Sequence, residues 1–239
     1  MKKVSLLFAI SIFLLSGIFT SCPIDNSETH GDTPGVVLSF DDYSPDSWEP
    51  LFDLFDEYNA KVTFFVNKSS VTPFMLNAQD RGHEIGFHSI NHPVLYTLEW
   101  DDFHEETIAP ISAFRDGGVE LTSFAYPYGE FEPWMHYELL KHYKIIRGAY
   151  NFKRYSREEM RSGFIHARSV DNLNFETDEI FENQINTMLI SAKEFGKIIN
   201  LYSHNITTAR WGITEDRVEY ILKKGTELGL KFYTYKDFQ

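Results

Sequence analysis

Between residues 35 and 239, short apolar runs alternate with longer amphipathic segments, and this alternation leaves the chain few architectures. Eight runs read as strands: 36–40, 62–67, 84–88, 121–126, 144–149, 164–167, 198–203 and 231–235. Helical patterns lie between them. Leu51, Phe52, Leu54, Phe55 and Tyr58 recur at helical spacing behind Pro50, and Ile180, Phe181, Gln184, Ile185, Met188 and Leu189 form a second such stripe. A third helix over 214–228 is stopped by Gly229. Parallel strands cannot be joined by a tight turn and need a crossover. The alternation therefore predicts one α/β domain with a parallel sheet, open or closed into a barrel. There is no internal repeat and no low-complexity tract.

The segment ahead of that pattern reads as an address. Lys2 and Lys3 precede an uncharged apolar run over 4–19, followed by Thr20, Ser21 and Cys22. A basic start, a short apolar stretch and small residues make a secretory signal, and the run falls short of the roughly 20 residues a membrane-spanning helix needs. Cys22 is the single cysteine, at the place where a lipoprotein signal is cut and acylated, although Phe19 replaces the usual Leu. The expected organisation is a lipoprotein signal over 1–21, a polar tether over 22–34 and a catalytic domain over 35–239. The protein is then exported and touches the membrane only through a lipid on Cys22. One cysteine permits no internal disulfide, so a packed core must supply the stability. The net charge of −13 gives no counterion-release energy on a polyanion, which argues against nucleic acid and for a neutral or cationic glycan. We expect a monomer.

Titratable residues gather just past the strand ends, where parallel α/β folds build active sites. Asp41 and Asp42 follow the first run, His88 and His92 the third, Tyr126-Pro127-Tyr128-Gly129 the fourth, and His204 the seventh. The spacing of His88 and His92 predicts two imidazoles on one face of a helical turn. One carboxylate with two imidazoles makes a ligand set with open positions, as in catalytic metal sites. The other carboxylate is then free to act as general base and His204 as general acid. The remaining histidines read as surface or structural.

Ser39-Phe40-Asp41-Asp42, His88-Ser89-Ile90-Asn91-His92, Ala125-Tyr126-Pro127-Tyr128-Gly129 and Leu201-Tyr202-Ser203-His204 resemble, in order, the motifs of the polysaccharide deacetylases, carbohydrate esterase family 4. The resemblance implies a distorted (β/α) barrel of about seven parallel strands. It implies Asp41 as base, Asp42, His88 and His92 as ligands of one divalent metal, zinc by preference, and His204 as acid. It also implies the Tyr128 backbone N–H as oxyanion donor, and an activity that removes N- or O-linked acetyl groups from a carbohydrate.

Two positions depart from the motifs. Tyr43 stands where many members have Gly, and Ala125 where many have an Arg that steers the catalytic Asp. A replacement cation is expected near Asp41, with Arg168 the first choice and Arg147 the second, and Asp171 is a candidate partner for His204. Tyr43, Trp48, Tyr128 and Trp211 are candidates for stacking on sugar rings. Loops over 97–102 and 152–162 carry no readable glycan preference. Two rival readings remain: a carbohydrate-binding lipoprotein with little turnover, favoured by the missing Arg, and a hydrolase of small amides with the same chemistry.

Overall fold

Each of the eight expected runs carries a strand. The computed structural model describes residues 33–150 and 152–239, so the expected lipoprotein signal and nearly all of the expected tether lie outside the described residues. The strands are β1 (Gly35–Asp41), β2 (Thr63–Val66), β3 (Glu84–Phe87), β4 (Ser123–Ala125), β5 (Ile145–Ala149), β6 (Arg154–Tyr155), β7 (Phe164–Ser169), β8 (Ile198–Ser203), β9 (Asn205–Ile206), β10 (Gly212–Ile213) and β11 (Lys231–Tyr233). The α-helices are α1 (Pro45–Trp48), α2 (Phe52–Glu57), α3 (Pro73–Asp80), α4 (Trp100–Thr107), α5 (Pro110–Asp116), α6 (Pro133–Leu139), α7 (Arg157–Met160), α8 (Asp178–Glu194) and α9 (Glu215–Glu227). None of them is long and apolar enough to cross a membrane, among the described residues.

The sheet closes. Strands pair in the order β1-β2-β3-β4-β5-β7-β8, all parallel, and β8 returns to β1 from Gly35↔Ile198 to Phe40↔Ser203. The closure is uneven. β2 joins β1 only at Ser39–Asp41, and β11 takes the lower stretch at Gly35–Val37. In the same way β7 meets β8 at Leu201 and Tyr202, while the antiparallel β6 covers Ile198 and Ile199. Between β3 and β4 one residue pair, Phe87↔Phe124, holds the register.

Alternation along the strands sorts the core into two bodies. Val36, Leu38, Phe40, Phe64, Phe87, Phe124 and Leu201 face the helices in a large outer layer. Val37, Phe65, Ala125, Ile145, Ile165 and Ile198 form the inner cluster, floored by Tyr233, Tyr235 and Phe238. Gly86 is required at that inner face, since a Cβ there would lie 2.5 Å from the Phe65 ring and 2.7 Å from Ser123 Oγ. The floor also buries a carboxylate. Glu84 accepts hydrogen bonds from Thr63 Oγ1 (2.9 Å), Ser123 Oγ (2.7 Å) and Lys236 N (2.9 Å), and burial pushes its pKa up.

The crossover helices that follow the parallel strands begin on the mouth side, whereas α7 follows β6 at the floor, where Arg157 Nη2 donates to the Asp237 carbonyl at 2.9 Å. α8 and α9 start behind Thr177 and Thr214, whose side chains accept from Ile180 N and Arg217 N, and acidic residues fill both first turns. The segment 97–102 enters α4, and 152–162 contains β6 and α7, so neither is a free loop.

Candidate active site

Asp41 is the last residue of β1 and shares the inward parity of Val37 and Ser39, so it lies at the top of the barrel interior, 2 % exposed. Asp42 follows with φ 81°, which turns its side chain away from the strand's alternation. Six non-glycine residues have positive φ among the described residues, and five of them are in loops at this mouth: Asp42, Tyr43, Ser89, His92 and Tyr128. Such backbone costs of order 1–3 kcal/mol per residue and persists where the surroundings over-determine it, commonly at functional sites.

His88 lies one residue past β3. Its Nδ1 is 2.8 Å from the Ala125 carbonyl oxygen, which can only accept, so Nδ1 carries the proton and the Nε2 lone pair is left free. That Nε2 is 3.4 Å from Asp42 Oδ1, and His92 Nε2 is 3.4 Å from the same oxygen. The two histidines converge from an irregular loop with positive φ at Ser89 and His92, a correction to the helical turn their spacing predicts. Glu106 holds that loop, accepting from Ile90 N (3.0 Å), Asn91 N (2.9 Å) and Asn91 Nδ2 (2.6 Å). It is 15 residues from Asn91 and 16 from Ile90, on α4, and nothing in the sequence pattern points to it.

Asp42, His88 and His92 each place a ligand atom within 4.8 Å of the other two. Asp42 Oδ1 is buried and has no hydrogen-bond partner. Burial would raise the Asp42 pKa, but His88, with His204 and His92, brings it down to about 2. Burial, aided by repulsion from His88, lowers the His92 pKa and favours its neutral, ligating form. An orphaned carboxylate oxygen between two imidazoles fits a divalent cation.

On the other side of Asp41 sits Arg147, whose Nη2 donates to Asp41 Oδ2 in a short ion pair. Arg147 is 1 % exposed, and its guanidinium lies 4.5 Å from the Tyr202 ring centroid. Burial opposes its charge, and Asp41 beside it more than restores it. In the β4–β5 register Arg147 is the partner of Ala125, the position where the motif would have supplied an arginine. The cation thus comes from the same rung, one strand over. Arg168, the first choice from sequence, is corrected: it pairs with Leu201 of the outer layer and lines a hollow with Phe152 and α8 residues. The error is one of parity, because in β7 it is Ile165 and Ala167 that share the inner face. The available signal was the charge inside Ile145-Ile146-Arg147-Gly148-Ala149, since a buried arginine in an apolar strand needs a buried carboxylate.

His204 lies one residue past β8 and donates from Nδ1 to Asp171 Oδ2 at 2.9 Å. Asp171 also accepts from Ser203 Oγ (2.6 Å) and Ser169 Oγ (2.8 Å), which fixes it. Burial would lower the His204 pKa, but the Asp171 hydrogen bond and the charges of Asp41, Asp171 and Asp42 raise it to about 9. His204 Nε2 is 3.9 Å from Asp42 Oδ2.

Asp41, Asp42, His88, His92, Arg147 and His204 line one cavity of about 280 Å³, with Tyr128 and Trp211 on its rim. Tyr128 sits edge-on to His92 at 4.4 Å, in a turn closed by Gly129, where a Cβ would lie 2.5 Å from Ala149 Cβ. Trp48, a sequence candidate for sugar stacking, is corrected: it is 1 % exposed and its Nε1 donates to the His204 carbonyl at 3.0 Å.

Residues 29–144 match the family model described as Polysaccharide deacetylase. Chitin deacetylase 1 from Cryptococcus neoformans var. grubii is 37 % identical over 100 residues, 40 % of this chain and 21 % of that protein. Peptidoglycan-N-acetylglucosamine deacetylase PgdA from Listeria monocytogenes is 32 % identical over 99 residues, 39 % of this chain and 21 % of that protein. The chain thus spans about a fifth of the length of these curated relatives. Among solved structures, the chitin deacetylase from Colletotrichum lindemuthianum has TM-score 0.63 at 18 % identity, covering 87 % of this chain and 88 % of that one. Peptidoglycan deacetylase PdaC from Bacillus subtilis has TM-score 0.55 at 19 % identity, covering 87 % and 91 %. At that identity the likeness is one of fold.

Proposed function

Because the chain belongs to the polysaccharide deacetylase family, we propose that it is a metal-dependent hydrolase that removes acetyl groups from a carbohydrate outside the cytoplasm. The observation that carries this reading is the convergence of Asp42, His88 and His92 on one unpartnered oxygen, flanked by Asp41 and His204. A divalent ion held by those three residues supplies Lewis acidity, polarising the acetyl carbonyl and acidifying a water.

The chain's own groups do the rest. Asp41 takes the proton from the attacking water: Arg147 pins its Oδ2, while its Oδ1 is buried without a partner. Fixing the base in this way reduces the search for a productive geometry. His204, kept protonated by Asp171, gives a proton from Nε2 to the leaving nitrogen or oxygen. The acetyl carbon gains a bond to the water oxygen and loses its bond to the sugar, so the products are acetate and a free amine or hydroxyl. The Tyr128 backbone N–H is assigned as the oxyanion donor on the strength of its motif and its place on the rim.

The reading of a non-catalytic binding protein drew its support from Ala125, and Arg147 now supplies that cation. Anchoring through a lipid on Cys22 belongs to the same proposal, and Cys22→Ser is expected to move the protein from membrane to soluble fractions. The deciding experiment measures acetate release from acetylated oligosaccharides before chelation, after it, and after zinc is restored. Activity that survives full chelation, or full metal content in a His88→Ala/His92→Ala variant, would refute the metal assignment.

A further inference from the structure

Resting on the deacetylase reading and deepening it, we propose that the loops after β3 and β4 form an aromatic, acidic track that leads out of the cavity and holds further sugar residues of a polymeric substrate. The two loops run side by side and approach each other at three successive places. His92 meets Tyr128 at 4.4 Å, next to the ligand set. Further out, the Glu130 carboxylate lies close enough to the Tyr96 hydroxyl that its charge raises the phenol's pKa. Beyond that, Trp100 meets Trp134 at 6.2 Å, where both residues open the first turns of α4 and α6. The contacts advance in step, by four residues on the first loop and by two and then four on the second.

Each contact leaves an aromatic ring in solvent. Tyr128 is 60 % exposed, Tyr96 46 %, Trp100 48 % and Trp134 41 %. A single exposed aromatic needs no explanation, but a line of four that starts at a catalytic cavity does. The outermost pair is also held in place, because Trp134 packs edge-on to the buried Phe103 at 4.9 Å. Rigid aromatic faces bind at low cost in conformational entropy. Sugar rings offer apolar C–H faces to such surfaces and hydroxyls to acceptors beside them. Glu130 and Glu132 provide those acceptors, both exposed.

Charge narrows the occupant. From Gly82 to Leu140, Arg115 is the only lysine or arginine, and it lies at the end of α5 away from the mouth. Glu99, Asp101, Asp102, Glu130 and Glu132 line the same stretch and are exposed. A polyanion is repelled by this field. A neutral N-acetylhexosamine strand is not, and removal of its N-acetyl groups leaves amines that are cationic at neutral pH. The track is therefore matched to a substrate strand and to its own partly deacetylated product.

The test compares the dimer and the hexamer of N-acetylglucosamine, together with a small acetyl ester, in wild type, Trp100→Ala and Trp134→Ala. Expected is a loss of about three- to tenfold in kcat/KM on the hexamer for each variant. Dimer and ester rates should stay at the wild-type level. Trp134→Phe, which keeps an aromatic face on Phe103, should retain most hexamer activity. Calorimetric titration with the hexamer should show the same weakening of Kd in the two alanine variants. Equal losses on dimer and hexamer would assign the two tryptophans to packing, and an unchanged hexamer affinity would remove the track altogether. If the wild type released acetate from none of these compounds, the deacetylase reading would fall, while the calorimetry would still decide on the track.

Discussion

Two carboxylates are buried in the same barrel, Glu84 at its floor and Asp41 at its mouth, and they are held in opposite ways. Glu84 is saturated by two hydroxyls and a backbone N–H, with no cation beside it, and burial raises its pKa. Asp41 has a guanidinium on one oxygen and nothing on the other. A carboxylate whose acceptor capacity is spent on fixed donors can only hold structure. One that is ion-paired at a single oxygen and otherwise unpartnered has capacity left for a reacting molecule. The contrast separates a structural acid from a chemical one without reference to any motif.

The largest expected effect comes from removing the chemical acid alone. Asp41→Asn should lower turnover by about 10²–10⁴-fold while metal content stays at the wild-type level. Glu84→Gln should leave turnover unchanged, and equal losses in both variants would dissolve the distinction. Next in size is the partner that pins Asp41. Arg147→Lys keeps a charge but loses the planar fork, and should cost about 10–100-fold in kcat with little change in KM. Moving the guanidinium back one strand, in Ala125→Arg/Arg147→Ala, should recover part of that loss. No recovery at all would mean that the β5 position does more than orient Asp41.

A smaller effect is expected at the acid. The His204 pKa is raised from 6.5 to about 9, so the protonated form that donates to the leaving group survives into mildly alkaline solution. Asp171→Asn removes the main group that holds it there. The alkaline fall in turnover should then move down from about pH 9 towards 6.5, with the acid limb little changed. A pH–rate profile identical to that of the wild type would contradict the pairing. The smallest effect on catalysis, and the clearest on stability, belongs to Glu84→Gln. The amide NH₂ would face one of three donors, at a cost of about 1–3 kcal/mol in a denaturant melt.

Much of this architecture was legible before any coordinates. The eight apolar runs coincide with strands to within a few residues, because a closed parallel barrel buries both faces of each strand and leaves continuous apolar stretches. Asp41, Asp42, His88, His92 and His204 stood out because titratable residues at strand ends have little structural purpose there. Arg147 and Arg168 could not be ranked in the same way. Both lie in strands, and choosing between them needs the parity of each strand relative to the barrel axis, which an apolar run of both parities does not reveal. The supports of the site were hidden for a different reason. Glu106 and the Ala125 carbonyl act across loops and strands, at separations that leave no local pattern.

The seam between β3 and β4 is held by one backbone pair, Phe87↔Phe124, and one residue further on the His88 imidazole bonds to the Ala125 carbonyl in place of a second backbone rung. The ladder there is completed by a side chain whose other nitrogen faces the ligand cluster. Closing that gap and presenting that nitrogen are a single thermodynamic event. A cation bound at Nε2 would fix the ring and so tighten the staves of the barrel, and its removal would loosen them at the same place. Amide hydrogens of residues 84–88 and 123–126 should exchange faster when the site is stripped, while those along the long β1–β8 seam keep their pace.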